Sequence, residues 1–175
     1  GLDGVLSGSA TVTGRATRPR ADFTLTSPSV TTAATRSAGL PAGSINVAGQ
    51  FDGSTVTLRE AVVRIGGGDI RATGSVGQRL QLGVDITNLP LALANAFAPE
   101  LGIGGSLSGR VDASGSVARP SARFDLSVAR LSAAPAASAG IASIDARARG
   151  SFEGATVKLD TLTANGSVLE VTANG

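Results

Sequence analysis

Few residues in this 175-residue chain have side chains suited to catalysis or metal binding. The chain contains no His and no Cys, and Lys158 is its single lysine. A serine or threonine nucleophile needs a neighbouring base, and zinc needs imidazole or thiolate ligands. The thirteen Asp and Glu residues are dispersed, whereas a calcium loop needs dense carboxylates. The residue types therefore argue against nucleophilic catalysis and a metal centre, and no cofactor is predicted.

Three other patterns offer weaker chemistry. Two distant carboxylates can hydrolyse a glycosidic bond, but few aromatic side chains are present on which a sugar could stack. The stretch GIGGSLSG, residues 102–109, lacks both the GxGxxG order and the lysine of phosphate-binding loops. The sequon at Asn165 is better explained as a hairpin turn. We therefore predict that the protein is not an enzyme.

The composition favours an aliphatic fold without a nucleic-acid partner. Hydrophobic residues make up 42% of the chain, aromatic residues only 3%, and glycine occurs 24 times. The net charge is +2 and the arginines are scattered, whereas nucleic-acid binding needs clustered positive charge. The chain begins with GLDG and has no apolar run long enough to span a bilayer. We expect a segment of a longer protein whose membrane anchor lies elsewhere.

The chain repeats itself. Residues 4–74 align with residues 105–175 without a gap, and 22 of the 71 positions are identical. The clearest match pairs GRATRPRADFTL with GSVARPSARFDL. This predicts a first β-rich repeat at 1–74, a joining strand and short helix at 75–104, and a second β-rich repeat at 105–175.

Within each repeat, apolar residues alternate with polar ones, which is the pattern of β-strands. INVAGQF and RLQLGVDI are two such runs, and turn motifs such as FDGS and GGGD recur every 8 to 12 residues or so. The predicted fold is therefore all-β: a curved antiparallel sheet in a meander, with one short α-helix between the repeats.

That helix is predicted at about residues 88–99. Leu89, Leu93 and Phe97 recur at helical spacing, Asn88 is a plausible cap, and Pro99 would end the helix. We interpret it as a cap packed on the apolar face of the sheet.

The apolar face itself is the candidate functional surface. Its large residues alternate with Gly and Ala, which leave room for a ligand. An acyl chain is the natural occupant, since each buried methylene contributes about 0.8 kcal/mol and sixteen carbons about 13 kcal/mol. For any single residue, ordinary core packing remains the alternative. The candidate groove-lining residues are Phe23, Leu25, Val47, Phe51, Val56, Leu58, Leu82, Val84, Ile86, Phe124, Leu126, Phe152, Val157 and Leu159.

The order of these motifs resembles the repeating β-rich region of the TamB family, within the wider AsmA-like group. Each repeat has a glycine-punctuated strand, an Arg-Pro, a Phe-x-Leu strand and a turn followed by Val-x-Leu, and LPLALANAFAPEL joins the two. The resemblance implies a sheet folded like a taco around a hydrophobic groove, in the periplasm of a Gram-negative bacterium.

The resemblance also implies an inner-membrane anchor outside this segment and a TamA-like outer-membrane partner of the barrel-assembly type. The functions it implies are phospholipid transport between the membranes and support of outer-membrane protein translocation and assembly. Two alternatives remain at this stage. One is a chaperone that binds outer-membrane barrel or autotransporter strands by β-augmentation without lipid transport. The other is a structural surface β-solenoid.

Overall fold

The computed structural model describes residues 2–15, 17–138, 140, 143–154, 156–166 and 170–174. In this part of the chain, twelve strands form one open antiparallel sheet that does not close on itself. The predicted fold class is thereby confirmed. The strands are β1 (Leu2–Gly4), β2 (Ser7–Arg15), β3 (Arg18–Thr32), β4 (Gly43–Phe51), β5 (Val56–Ile65), β6 (Gly68–Val76), β7 (Arg79–Pro90), β8 (Gly104–Ser116), β9 (Arg119–Ser132), β10 (Ile144–Glu153), β11 (Thr156–Gly166) and β12 (Glu170–Asn174).

From β3 onward, each strand pairs with the strand that follows it in sequence, which makes the sheet a simple meander. The two short strands β1 and β2 pair with successive parts of the same side of β3. The sheet is therefore eleven strands across. At about 4.8 Å between neighbouring strands, it extends for roughly 48 Å perpendicular to them.

The structural elements recur with the same shift of 101 residues as the sequence. A helical turn, α1 (Ala33–Ser37), follows β3, and its counterpart α2 (Ala134–Ser138) follows β9. Likewise β2 corresponds to β8, and β4, β5 and β6 correspond to β10, β11 and β12. Both repeats lie in a single sheet, so neither repeat has a core of its own.

The two ends of the sheet differ. The connections after β3, β7 and β9 contain the short helices and all lie at one end, whereas tight turns close the hairpins at the other. In one of these turns, Asp52 Oδ1 accepts hydrogen bonds from the backbone N–H groups of Thr55 and Ser54, at 2.8 and 3.0 Å. These bonds lower the pKa of the Asp52 carboxyl.

The α-helix predicted at about 88–99 is wrong in both type and bounds. Strand β7 continues to Pro90, and two 3₁₀ helices follow it, Leu91–Ala96 and Pro99–Leu101. Asn95 accepts a hydrogen bond from the Ile103 backbone N–H at 2.7 Å and donates one to the Ile103 carbonyl at 2.9 Å. These side-chain bonds, together with the bond from the Phe97 backbone N–H to the Ala94 carbonyl at 3.0 Å, stabilise the tighter 3₁₀ geometry.

The predicted packing of that segment also differs in part. Phe97 does not pack on the sheet, since 88% of its surface is exposed. Asn88 lies within β7 with a φ of 49°, beside an irregularity in the β7–β8 pairing, and does not begin a helix. The 3₁₀ helices instead contact α1 on one side and α2 on the other, so that a row of short helices follows one end of the sheet.

The turns α1 and α2 were not predicted from the sequence. In α1, the Thr32 backbone N–H donates to Thr35 Oγ1 at 2.8 Å, and the Thr35 N–H donates to Thr32 Oγ1 at 3.1 Å, a reciprocal arrangement like a capping box. Gly39 and Gly140 follow the two turns with φ of 64° and 82°, the left-handed conformation that ends helices. The repeated Ser-Ala-Gly was the sequence signal for them. No helix in the described part of the chain has the length and apolarity to cross a bilayer.

Bulges bend the sheet at equivalent places in the two repeats. In the β4–β5 ladder, Arg59 is the extra residue, because Leu58 pairs with Gly49 and Glu60 with Ala48. In the β10–β11 ladder, Asp160 is the extra residue for the same reason. A bulge bends its strand and increases the local twist. Each repeat therefore carries the same local distortion of its strand pairing.

Phenylalanine rings fill the space above glycines in the neighbouring strand. Phe23 pairs with Gly49, and a Cβ atom built on Gly49 would lie 2.6 Å from the Phe23 Cζ and 2.6 Å from the Thr57 carbonyl oxygen. Phe124 pairs with Gly150 in the same way, with its Cζ 2.8 Å from the Cβ that Gly150 lacks. The alternation of large residues with glycine predicted room for a ligand at these positions. That prediction is wrong at Gly49 and Gly150, because an aromatic ring already occupies the space.

The opposite face of the sheet carries a row of alternating charges. The register places Arg71, Asp85, Arg110, Asp125 and Arg149 directly opposite one another across strands β6 to β10. Arg110 Nη1 lies 3.2 Å from an Asp85 oxygen, and Arg149 Nε lies 2.8 Å from an Asp125 oxygen. Opposite charges facing each other stabilise this pairing register over its alternatives.

These ion pairs shift the titration of the carboxylates. Hydrogen bonds from Arg147 and Arg149 lower the pKa of Asp125, and the hydrogen bond from Arg110 lowers the pKa of Asp112. The pKa of Asp22 is lowered first by Arg59 and then by Gln50. Each cause favours the ionised form in the folded protein.

Gly49→Ala should destabilise the sheet by about 1–3 kcal/mol, because the new methyl group collides with the Phe23 ring and the Thr57 carbonyl. Urea unfolding followed by circular dichroism measures the change. The matched control is Gly83→Ala on the opposite face, where the new Cβ would meet side-chain ends and no backbone, Arg110 Nη2 at 3.1 Å and Asp112 Oδ1 at 3.4 Å. Equal stability of Gly49→Ala and wild type would contradict the proposed ring packing.

The unfolding free energy should decrease when the pH is lowered into the acid range. Because the folded-state pKa values of Asp22, Asp112 and Asp125 are lowered, their stabilisation is complete above the ordinary Asp pKa of about 3.9 and is lost as the pH falls below it. Asp125→Asn should show a weaker loss of stability in acid, measured by urea unfolding at a series of pH values. Ser127→Asn on the same strand should keep the full dependence, and an unchanged dependence in Asp125→Asn would refute the assignment.

Candidate functional site: the apolar face of the sheet

The pairing register places all fourteen predicted lining residues on one face of the sheet. Residues that pair directly in an antiparallel ladder project from the same face of the sheet. Once the face of a residue on one strand is known, the face of its partner on the next strand is known as well. We call this surface the apolar face. One row runs across nine strands through Phe23, Gly49, Leu58, Gly74, Leu82, Ala113, Ala122, Phe152 and Val157.

The other predicted residues lie in the adjacent rows of this face. The next row runs through Leu25, Val47, Ala61, Ala72, Val84, Val111, Phe124, Gly150 and Leu159. Phe51 pairs with Val56 on one side of these two rows. Ile86 and Leu126 both pair with Gly109 on the other side. The rows thus place the fourteen side chains in one continuous surface that crosses both repeats.

Charged side chains are absent from the paired positions of the apolar face in the described part of β3 to β11. Among the positions paired in the ladders from β3–β4 to β10–β11, the single polar side chain on this face is Ser27, of which 1% is exposed. Its hydroxyl donates a hydrogen bond to the Val5 carbonyl at 2.6 Å. The face therefore offers a ligand no hydrogen-bonding or charged side chain, and apolar contact is the interaction that remains.

No second layer covers the apolar face. None of the fourteen residues is fully buried: eleven are half-buried, and Leu25, Leu159 and Val157 are 38%, 44% and 61% exposed. The buried hydrophobic residues of the described chain are Val30 and Val62. Ordinary core packing, the alternative interpretation of these residues, would require that they be covered, and within this chain they are not.

The accessible surface of the whole chain supports the same conclusion. It measures 10641 Å². A compact folded protein of 17.2 kDa exposes roughly 7,800 Å². The excess of roughly 2,800 Å² is the consequence of a sheet that has neither closed on itself nor stacked on another.

Sequence reasoning missed part of this surface. Ile45, Val63 and Ile70 extend the row that contains Ile86, and Leu107 pairs with Val128 beside it. These residues follow the same alternation as the predicted ones, so the signal was present. The charge row was also missed, because residues separated by 14 to 25 positions in sequence become neighbours only through the register.

The polar face offers a different kind of site. A cavity of about 570 Å³ opens there over strands β6 to β10, lined by Arg110, Asp112, Arg123 and neighbouring hydroxyl groups. Arg110 and Asp112 already form an ion pair with an N···O distance of 3.0 Å. No group of three side chains in the described residues is arranged to hold a metal ion. The charges of Arg110 and Asp112 therefore satisfy each other, and the apolar face remains the candidate functional site.

Comparison with known proteins adds no relative: no family model, no curated protein and no solved structure matches this chain.

Proposed function

We propose that this chain is a non-enzymatic segment that carries phospholipid acyl chains on the apolar face of its sheet. One observation supports this above all: rows of aliphatic, aromatic and glycine residues cross nine strands without a charge and without a covering layer. A soluble protein that leaves such a surface open needs an occupant, because contiguous exposed apolar surface otherwise favours aggregation.

An acyl chain matches the chemistry of this surface. It needs no hydrogen-bond partner, and burial contributes about 0.8 kcal/mol for each methylene group. The rows run perpendicular to the strands, so an acyl chain that follows a row passes from strand to strand without meeting a polar side chain. The headgroup cannot be bound there and must remain in water beside the sheet.

The continuity of the face between the repeats suggests transport as well as binding. Since one row includes residues of β3 and of β11, a lipid can move along it while its acyl chains remain in apolar contact. No step along the row requires the acyl chain to enter water. A sheet lengthened by further repeats would extend the same path.

The resemblance to the TamB family supplies the cellular setting of the proposal. In that setting the segment lies in the periplasm as part of a protein anchored in the inner membrane, with a TamA-like outer-membrane protein as its partner. Phospholipid would pass between the inner and outer membranes, and the same protein would support outer-membrane protein translocation and assembly.

A charge placed on the apolar face tests the proposal. Leu126→Arg puts a guanidinium group into a row, whereas Ser127→Arg puts the same group on the opposite face, one residue away. Both variants should fold, because neither residue is buried. We expect Leu126→Arg to reduce the phospholipid bound from vesicles by about tenfold or more, since an acyl chain must then contact or displace a charge.

The measurement is transfer of a fluorescent phospholipid between phosphatidylethanolamine–phosphatidylglycerol vesicles, with bound lipid counted by native mass spectrometry. Circular dichroism of both variants shows whether the sheet is retained. Transfer by Leu126→Arg at the wild-type rate, with the sheet intact, would exclude the apolar face as the lipid path. Equal loss in both variants would also count against it.

A further inference from the structure

We propose that the free edge of β2 binds an extended strand of the β7 type. We define that type as a strand with large apolar residues at every second position, running antiparallel to β2 in the register that β7 takes on β8. This interaction surface is independent of the lipid-carrying function proposed above.

The first argument is the equivalence of β2 and β8. Gly8 pairs with Leu25, and Val12 pairs with Ala21. Their counterparts 101 residues later, Gly109 and Ala113, pair with Leu126 and Ala122 in the same register. Strand β2 therefore presents the same edge that β8 presents to β7, and it is already held in the extended conformation by β3. A preformed edge lowers the entropic cost of binding a strand.

The second argument is the exposure of β2. Leu6 and Val12 are 64% and 68% exposed, whereas their counterparts Leu107 and Ala113 are only half-exposed. The difference follows from pairing, because β8 has a neighbour on both sides and β2 has one. A strand placed beside β2 would cover Ala10 and Val12, which correspond to the positions Val111 and Ala113 that β7 covers on β8.

The third argument is that β2 lacks the features that normally protect an edge. Such strands usually carry Lys or Pro, inward-pointing charges or a bulge. Between Ser7 and Gly14, β2 contains only Gly, Ala, Ser, Thr and Val, and its pairing with β3 is regular throughout. Its free backbone N–H and C=O groups are thus accessible to another strand.

The side chains of β2 specify the chemistry of the partner. On the apolar face, β7 places Leu80, Leu82 and Ile86 opposite the small residues Gly115, Ala113 and Gly109 of β8. On β2, Gly14 and Gly8 occupy the positions of Gly115 and Gly109, so the residues opposite Leu80 and Ile86 would again be glycines. On the polar face, β2 has Ser9 and Thr11 where β8 has the charged Arg110 and Asp112. The partner strand therefore needs apolar residues in alternation but no charges, and its binding should depend little on salt.

A synthetic peptide of residues 80–90, LQLGVDITNLP, is the probe, because Arg79 would lie opposite Arg15 of β2 in this register. With the whole chain present, we expect saturable binding by fluorescence anisotropy and slowed hydrogen exchange at residues 7–15. Affinity should change less than about twofold between low and physiological salt. The Asp85→Asn peptide should bind as the parent does, because Ser9 replaces the arginine that Asp85 meets on β8.

Two further variants test the register. The Val84→Lys peptide should bind about tenfold more weakly or worse, since its ammonium group would lie on the apolar face. In the protein, Val12→Lys should weaken binding of the parent peptide, whereas Thr11→Lys on the polar face should not. Both sites are exposed, so neither change threatens the fold.

Three outcomes would overturn the proposal. The first is the absence of binding, and the second is binding without protection of residues 7–15. The third is self-association through β2, seen as dimers by sedimentation with residues 7–15 protected before any peptide is added. In that case the occupant is a second copy of the chain and not a β7-type strand.

Discussion

The pairing register is the constraint on which the rest of the structure depends. In a β-strand, side chains alternate between two faces, so a slip of one residue in any ladder would exchange apolar for polar side chains on every strand beyond it. The protein maintains this register with few large side chains. Phe23 over Gly49 and Phe124 over Gly150 lock two strand pairs on the apolar face. The charge row from Arg71 to Arg149 favours the same register on the polar face.

The two faces thereby acquire separate roles. On the polar face, Arg and Asp side chains pair with each other across strands. On the apolar face, side chains of neighbouring strands contact one another within the layer but have no opposing layer. The result is a sheet that folds through lateral pairing while leaving one apolar surface open, which is the physical basis of the proposed lipid path.

Repetition has consequences beyond length. Bulges at Arg59 and Asp160 occur at equivalent positions, so the same local distortion recurs in each repeat. The segment between the repeats completes β7 and then forms two 3₁₀ helices, which contact α1 and α2. It therefore joins the helical connections of the two repeats into one row at one end of the sheet. The equivalence of β2 and β8 makes the exposed edge a natural place for a further strand.

The sequence by itself determined the fold class, the repeat and the two-faced character of the strands, because alternation with a period of two is a local property of a strand. It also identified the fourteen candidate residues, since each lies in an alternating run. Tertiary structure alone decided what could not be seen locally. It decided that the face is uncovered, because a residue in an alternating run is the same whether or not a second layer packs on it. It decided the partners of the charge row and the ring-over-glycine pairs, because these depend on register between strands. The tertiary structure also decided the segment at about 88–99, which forms the end of β7 and two 3₁₀ helices and not the predicted α-helix. Its helical preference is weak, and the hydrogen bonds between the Asn95 side chain and the Ile103 backbone favour the tighter turns.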